Sequence, residues 1–279
     1  MGLLILSMHF WKYSALGNTF VVVEARRGVR ARLLPWVRAL CDPKTGVAAD
    51  GVALVEPSRL RLHIYNADGG RAEVSGNGAR CAAQRLFDAG GYGREILLQA
   101  DAGPLRCRRT RRGVSVTLPP PRFATRDIPA RAASPEVWGV RLRLPKPVNN
   151  DLTVYALSVG NPQCVVWGSP GMKNWEEAGA LLHTHRMFPE RTNVVFARSA
   201  GRKIEVKLWE RGVGPTLSSG TGAAAAAVVG AQLGKTSRRV DVVMAGGTMR
   251  VVWRPDQQIE LVAPAELIAA GTWEWRRSR

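Results

Sequence analysis

Apolar positions along the chain fall into two kinds of pattern. Short continuous or alternating runs, Leu60 to Tyr65, Val114 to Leu118, Val154 to Val159, Ile204 to Trp209 and Met249 to Trp253, predict β-strands. Two stretches instead carry a helical signature. In the first, Ala79, Ala82, Ala83, Leu86 and Phe87 recur at i, i+3, i+4, i+7 and i+8, and Gly90-Gly91 supplies the stop. In the second, Ala223 to Ala231 holds no polar residue, so that helix has no face to turn to water and must be buried nearly all round. One helix wrapped by strands, in each half of the chain, is the predicted arrangement, which is an α+β class.

The halves also match each other in sequence. At an offset of 219 − 75 = 144, S-G-N-G-A-R-C-A-A from Ser75 pairs with S-G-T-G-A-A-A-A-A from Ser219. Gly70 then falls on Gly214, Tyr65 on Trp209, Gly90 on Gly234, Gly103 on Gly247 and Arg106 on Arg250. At 161 − 18 = 143, the segment around Asn18 pairs with the segment around Asn161. The protein reads as a duplication with pseudo-symmetric domains. Pro119-Pro120-Pro121 marks the expected boundary, giving domains 1–121 and 122–262, with 263–279 a candidate return to the first.

Composition narrows the function classes. A chain of 279 residues that is 46% hydrophobic can bury one large or two modest cores. Its early apolar run, Gly2 to Trp11, is interrupted by Ser7 and His9 and is shorter than the roughly 18 residues a membrane helix needs. It lacks a basic leader and a small-residue cleavage site, so a cytoplasmic location is the default expectation. Cys41, Cys81, Cys107 and Cys164 form no C-x-x-C pair, which argues against a disulfide framework or a zinc site, and His183 and His185 have no companion ligands. No metal is expected. The net charge of +18 comes from arginines scattered along the chain without interleaved aromatics, so a nucleic-acid role is not expected either.

The duplicated S-G-N-G and S-G-T-G turns carry the chemistry. Each opens a helix, so each presents unpaired backbone N–H groups and the positive end of a dipole, which together hold an anion such as a carboxylate. Related by a two-fold, both would serve one ligand, with Ser75 and Ser219 on opposite faces of its carbon. That geometry suits removal of a proton from one face and its return to the other. Neither turn continues as G-K-[ST], which excludes a phosphate-binding P-loop, and G-x-S-x-G is absent, which excludes a nucleophile elbow.

With these motifs in order, the chain resembles the diaminopimelate epimerase family over nearly its whole length. S-A-L-G-N-T-F (14–20), N-A-D-G (66–69), S-G-N-G-A-R-C (75–81), V-G-N-P-Q (159–163), T-N-V (192–194), E-R-G-V-G (210–214) and S-S-G-T-G (218–222) follow the family's sequence and spacing. The resemblance implies two domains, each an antiparallel β-barrel-like sheet wrapped around a central helix, and a homodimer. It implies cofactor-independent interconversion of LL- and meso-2,6-diaminopimelate, a step towards lysine and peptidoglycan precursors. Asn66, Asn161, Asn193 and Arg211 would bind the distal, non-reacting amino-acid end of the substrate, with Asn18 lining the cleft. Backbone groups of Gly76, Asn77, Gly220 and Thr221 would hold the reacting carboxylate. Arginine suits bidentate carboxylate recognition and asparagine suits an ammonium or carboxylate edge. Met8 resembles the usual family start, so Met1 to Ser7 are expected to be dispensable.

Two departures qualify this. The family's two acid/base cysteines correspond to Ser75 and Ser219, and a serine hydroxyl is a far weaker acid than a thiol. Gln163 stands where the family usually has histidine. Glu210 is retained as a candidate base. A deliberate removal of cysteines would not account for Gln163, and four cysteines remain, so the serines read as the chain's own. Two further readings stay open beside the epimerase: a related proton-shifting isomerase that uses Glu210 on another substrate, and a non-catalytic amino-acid-binding homologue.

Overall fold

In a computed structural model of the chain, the described residues are 5–25, 33–72, 75–101, 103–168, 171 and 173–276. They divide into two compact units, Met1–Val116 with Ala263–Arg279, and Thr117–Val262.

The first unit opens with β1 (Ile5–Ala15) and β2 (Asn18–Glu24), an antiparallel pair, followed by α1 (Leu33–Cys41) and β3 (Gly51–Glu56). Next come β4 (Arg61–Asn66), α2 (Gly76–Ala89), β5 (Glu95–Ala100), β6 (Gly103–Thr110) and β7 (Gly113–Leu118). Strand β2 runs parallel to β3, and β4 parallel to β5, while the other neighbours are antiparallel. Each parallel step is bridged by a helix, because a parallel connection must carry the chain back along the sheet.

The second unit repeats this plan. Its strands are β8 (Trp138–Arg143), β9 (Asp151–Ser158), β10 (Pro162–Trp167), β11 (Asn193–Ala200), β12 (Lys203–Glu210), β13 (Gly214–Thr216), β14 (Arg239–Met244), β15 (Gly247–Trp253) and β16 (Ile259–Ala263). Helices α3 (Trp175–His183) and α4 (Gly220–Gln232) bridge its two parallel pairs, β10 with β11 and β12 with β14. The short β13 folds back on β12. One strand remains, β17 (Glu266–Arg276), and it pairs antiparallel with β1 as β8 does with β9. The C-terminal strand therefore completes the first unit. The duplication read from sequence is a duplication of topology, with the short β13 the one strand that has no named counterpart in the first unit.

The long helices do what their sequences predict. In α2 the buried residues run from Gly76 to Ala83 and include Leu86 and Phe87, and Gly90 caps its end at φ 80°. In α4 every residue from Gly220 to Gly230 is buried. Strands β2 and β3 read as continuous apolar runs because both faces are covered. Phe20, Val22, Ala53 and Val55 pack with α2, while Val21, Val23, Val52 and Leu54 pack with Trp36, Val37 and Leu40 of α1.

Three expectations change. Each unit has two helices among the described residues where one was expected, since α1 and α3 are nine residues each and too short to establish a period. The division between units falls at Val116/Thr117, inside β7, and the three prolines and the 121/122 boundary read from them follow where that strand ends. Ile5, Leu6 and Ser7 pair with Arg276, Trp275 and Glu274, so removing everything before Met8 would strip three rungs from the β1–β17 ladder. Residues 1–4 lie outside the described part.

Candidate active site

In the first unit, the candidate residues centre on the N-terminus of α2. Ser75 is its N-cap, in extended backbone (φ −137°, ψ 107°), and its hydroxyl oxygen accepts a hydrogen bond from the Gly78 N–H at 3.0 Å. Serine serves here because its oxygen satisfies one of the orphan donors of the first turn. Gly78 fits closely here, since a Cβ would sit 3.0 Å from Ile64 Cδ1 and 3.2 Å from Phe20 Cε1, and those side chains would have to give by a few tenths of an ångström. The lack of a side chain lets the helix start lie directly on β2 and β4.

Those strands bring the other first-unit candidates to the same end. Asn18 opens β2, and its Oδ1 accepts from Asn77 Nδ2 at 3.0 Å. Asn77 Oδ1 in turn accepts from Arg80 Nη2 at 2.6 Å. On the other side, Asn18 Nδ2 donates to Asp50 Oδ2 at 3.1 Å, an oxygen that also receives Thr19 N–H at 2.7 Å. Asn66 closes β4, is exposed and lies opposite Gly51 in the ladder. Its loop is tied down by Ala67 N–H to Asp50 O at 3.2 Å and by a bond from Arg38 Nε to Asp68 O.

The second unit repeats the cap at α4. Ser219, 4% exposed, precedes α4 with φ −142° and ψ 122°, and its Oγ accepts from Gly222 N–H at 3.3 Å. Gly222 is packed as closely, because a Cβ would lie 2.7 Å from Leu208 Cδ2, and that side chain would have to shift. Thr221 occupies the place of Asn77 but is too short to reach an asparagine, and Gln163 spans the gap. Its Nε2 donates to Asn161 Oδ1 at 2.8 Å and to Thr221 Oγ1 at 3.1 Å. Gln163 is fully buried and its Oε1 has no partner. Asn193 is held by Nδ2 to Pro162 O at 2.8 Å, and its Oδ1 accepts from the Arg211 N–H at 2.8 Å. The Arg211 side chain, half-buried, reaches Glu190 O at 3.3 Å. Glu210 ends β12, opposite Gly214.

The structure thus gathers Asn18, Asn66, Ser75, Gly76 and Asn77 in one unit, and Asn161, Asn193, Glu210, Arg211, Ser219, Gly220 and Thr221 in the other. Three neighbours went unread in the sequence: Asp50, Arg80, and Gln163 as a structural bridge. Arg80 left a signal, since it sits at i−3 from Ala83 and i−7 from Phe87, within the apolar face of its helix. The cysteines offer no substitute base. Burial pushes the Cys81, Cys107 and Cys164 thiols up to about 12 and Cys41 to about 11. His183, buried at the end of α3, uses Nδ1 on Thr192 O at 2.8 Å. No helix among the described residues is long and apolar enough to cross a membrane.

Comparison with known proteins identifies the family and the fold. The family model described as diaminopimelate epimerase matches twice, over residues 10–123 and 155–268, an offset of 155 − 10 = 145 that again reports the repeat. A diaminopimelate epimerase of Moorella thermoacetica is 36% identical over 282 residues, covering 95% of this chain and 98% of that protein. One from a Synechococcus species is 36% identical over 279 residues, with 95% and 98% covered. Among solved structures, a Bacillus anthracis phenazine biosynthesis protein superposes with a TM-score of 0.68 at 14% identity, covering 97% of this chain and 99% of that one. A hydroxyproline epimerase of Agrobacterium vitis gives a TM-score of 0.67 at 14% identity, with 96% and 92% covered. These two likenesses speak for the fold.

Proposed function

The chain belongs to the diaminopimelate epimerase family, and we propose that it interconverts LL- and meso-2,6-diaminopimelate by two-base α-proton transfer, with Ser75 and Ser219 as the acid/base pair. The observation that carries this reading is the repeated cap. Two helix N-termini, each opened by a serine whose oxygen accepts from a backbone N–H three residues on, supply two anion-holding turns with a proton-bearing group at each. By the family resemblance, backbone groups of Gly76, Asn77, Gly220 and Thr221 would hold the reacting carboxylate. Asn66, Asn161, Asn193 and Arg211 would take the distal amino-acid end, and Asn18 would line the site. Glu210 is a further candidate base.

Serine changes the rate, not the route. Donation from Gly78 and Gly222 to the hydroxyl oxygens, together with the helix dipoles, favours the deprotonated form, yet an alcohol starts far above a thiol in pKa. Slow turnover is the expectation, with no cofactor. The same reading places the protein in the cytoplasm, as a homodimer.

The test is α-proton exchange. LL-diaminopimelate incubated with the protein in heavy water should gain deuterium at the α-carbon and yield the meso form, followed by NMR. Binding without exchange would leave the amino-acid-binding homologue as the better account. Exchange confined to another substrate would favour the Glu210 isomerase.

A further inference from the structure

Arg80 lies in α2 at 1% exposure, inside the first unit's core. Its Nη2 donates to Asn77, but Nε and Nη1 have no hydrogen-bond partner. No carboxylate pairs with it among the described residues. Burial lowers the guanidinium pKa to about 10, which still leaves it charged near neutrality. An unpaired buried cation is costly, and an apolar side chain of similar volume commonly packs as well or better in such a place. Its retention asks for something that it holds.

It stands at one end of a chain of hydrogen bonds. At the other end is Asp50, and between them lie two amides, Asn77 and Asn18, each of which has two nearly isosteric orientations. A guanidinium can only donate and a carboxylate can only accept. With these ends fixed, one assignment satisfies every bond: Arg80 to Asn77 Oδ1, Asn77 Nδ2 to Asn18 Oδ1, and Asn18 Nδ2 to Asp50. Turning either amide over sets like against like. The second unit has no such cation, since the position 80 + 144 = 224 is Ala224, and it has no amide to orient at Thr221.

We propose that Arg80 is a positioning residue, which with Asp50 fixes the orientation of the Asn77 and Asn18 amides so that the α2 turn offers donors to a carboxylate. A carboxylate arriving there then meets N–H groups and no opposing carbonyl oxygen. The inference rests on the reading of this turn as the carboxylate cradle, and its test separates the two.

Selective 15N labelling of asparagine reads the side-chain NH2 signals of Asn18 and Asn77, assigned by their loss in Asn18→Ser and Asn77→Ser. Calorimetry reads the affinity for meso-diaminopimelate. In Arg80→Met both amide signals should move while the melting temperature holds or rises. Affinity should fall at least about tenfold, equivalent to roughly 1.4 kcal/mol, and Arg80→Lys should restore part of both. Unmoved amide signals in Arg80→Met overturn the proposal, as do moved signals with unchanged affinity. Should Arg80→Met fail to fold, Arg80→Gln is read by the same two criteria. If the parent protein binds no meso-diaminopimelate, the substrate reading fails, and the amide signals alone decide the role of Arg80.

Discussion

Restoring thiols at both caps, Ser75→Cys with Ser219→Cys, tests chemistry and stability at once because each serine holds two jobs. On the chemical side, a free thiol of pKa about 8.5 is a few per cent thiolate at neutral pH, and helix N-termini raise that fraction. The double variant should therefore exchange the α-proton of LL-diaminopimelate at least about tenfold faster, equivalent to roughly 1.4 kcal/mol of barrier. Its rate should rise with pH as one thiol ionises and fall again as the second does, a bell-shaped profile. Each single variant should gain less, since removal and return of the proton need groups on opposite faces. On the structural side, the serine oxygens accept from Gly78 N–H at 3.0 Å and Gly222 N–H at 3.3 Å, and sulfur accepts weakly. Loss of an N-cap bond costs about 0.5–2 kcal/mol, so melting should drop by a few degrees. Exchange measured by NMR beside thermal melts followed by circular dichroism reports both. A double variant that folds and binds the ligand, yet shows neither exchange nor racemisation above the parent, would refute the two-base assignment.

Other outcomes follow from the same geometry. Arg211→Ala should leave the fold intact and weaken binding of meso-diaminopimelate by about 2–5 kcal/mol, as for a charge pair truncated in a closed site; unchanged calorimetric affinity would remove Arg211 from the site. Ser219→Ala should lower stability by about 1 kcal/mol and Ser219→Gly by only a few tenths, a ranking that denaturant titration of the two variants checks and that equal losses would contradict. Burial holds the folded thiol pKa values at about 11 and 12, above the ordinary range of about 8.5–9, so the stability these groups contribute is fully present below that range and is lost as pH rises from there towards 12. Urea unfolding followed across that window should show falling stability, and native protein at pH 8 should react only slowly with a thiol reagent; four rapidly titrating thiols would contradict their burial.

The legible parts of the structure were those written locally. The buried helices α2 and α4 announced themselves by an apolar face and by nine residues without a polar side chain, Ala223 to Ala231. The duplication was legible because each cap and its glycine answer to the same constraint, with Gly78 against Phe20 and Gly222 against Leu208. The short α1 and α3 were hidden by length, since nine residues complete barely two and a half turns. Arg80 and Asn77 are neighbours through the helical period of α2, whereas Asn18 and Asp50 join them only because the ladders bring them there. Gln163 could be read as a missing histidine, whereas its bridging of Asn161 and Thr221 depends on which rungs of β10 face α4.

The partnership of β1 with β17 has a temporal side. During synthesis the chain emerges from β1 onwards at about 5–20 residues per second, and domains tend to fold as their strands become available. The second unit is complete once β16 has appeared. The first unit, although it is translated earlier, must keep an edge of β1 open until the last of the described strands arrives, some 250 residues later. A message cut short before residue 266 would thus spare the second unit and leave the first with an unpaired, partly apolar edge, a template for association with other chains.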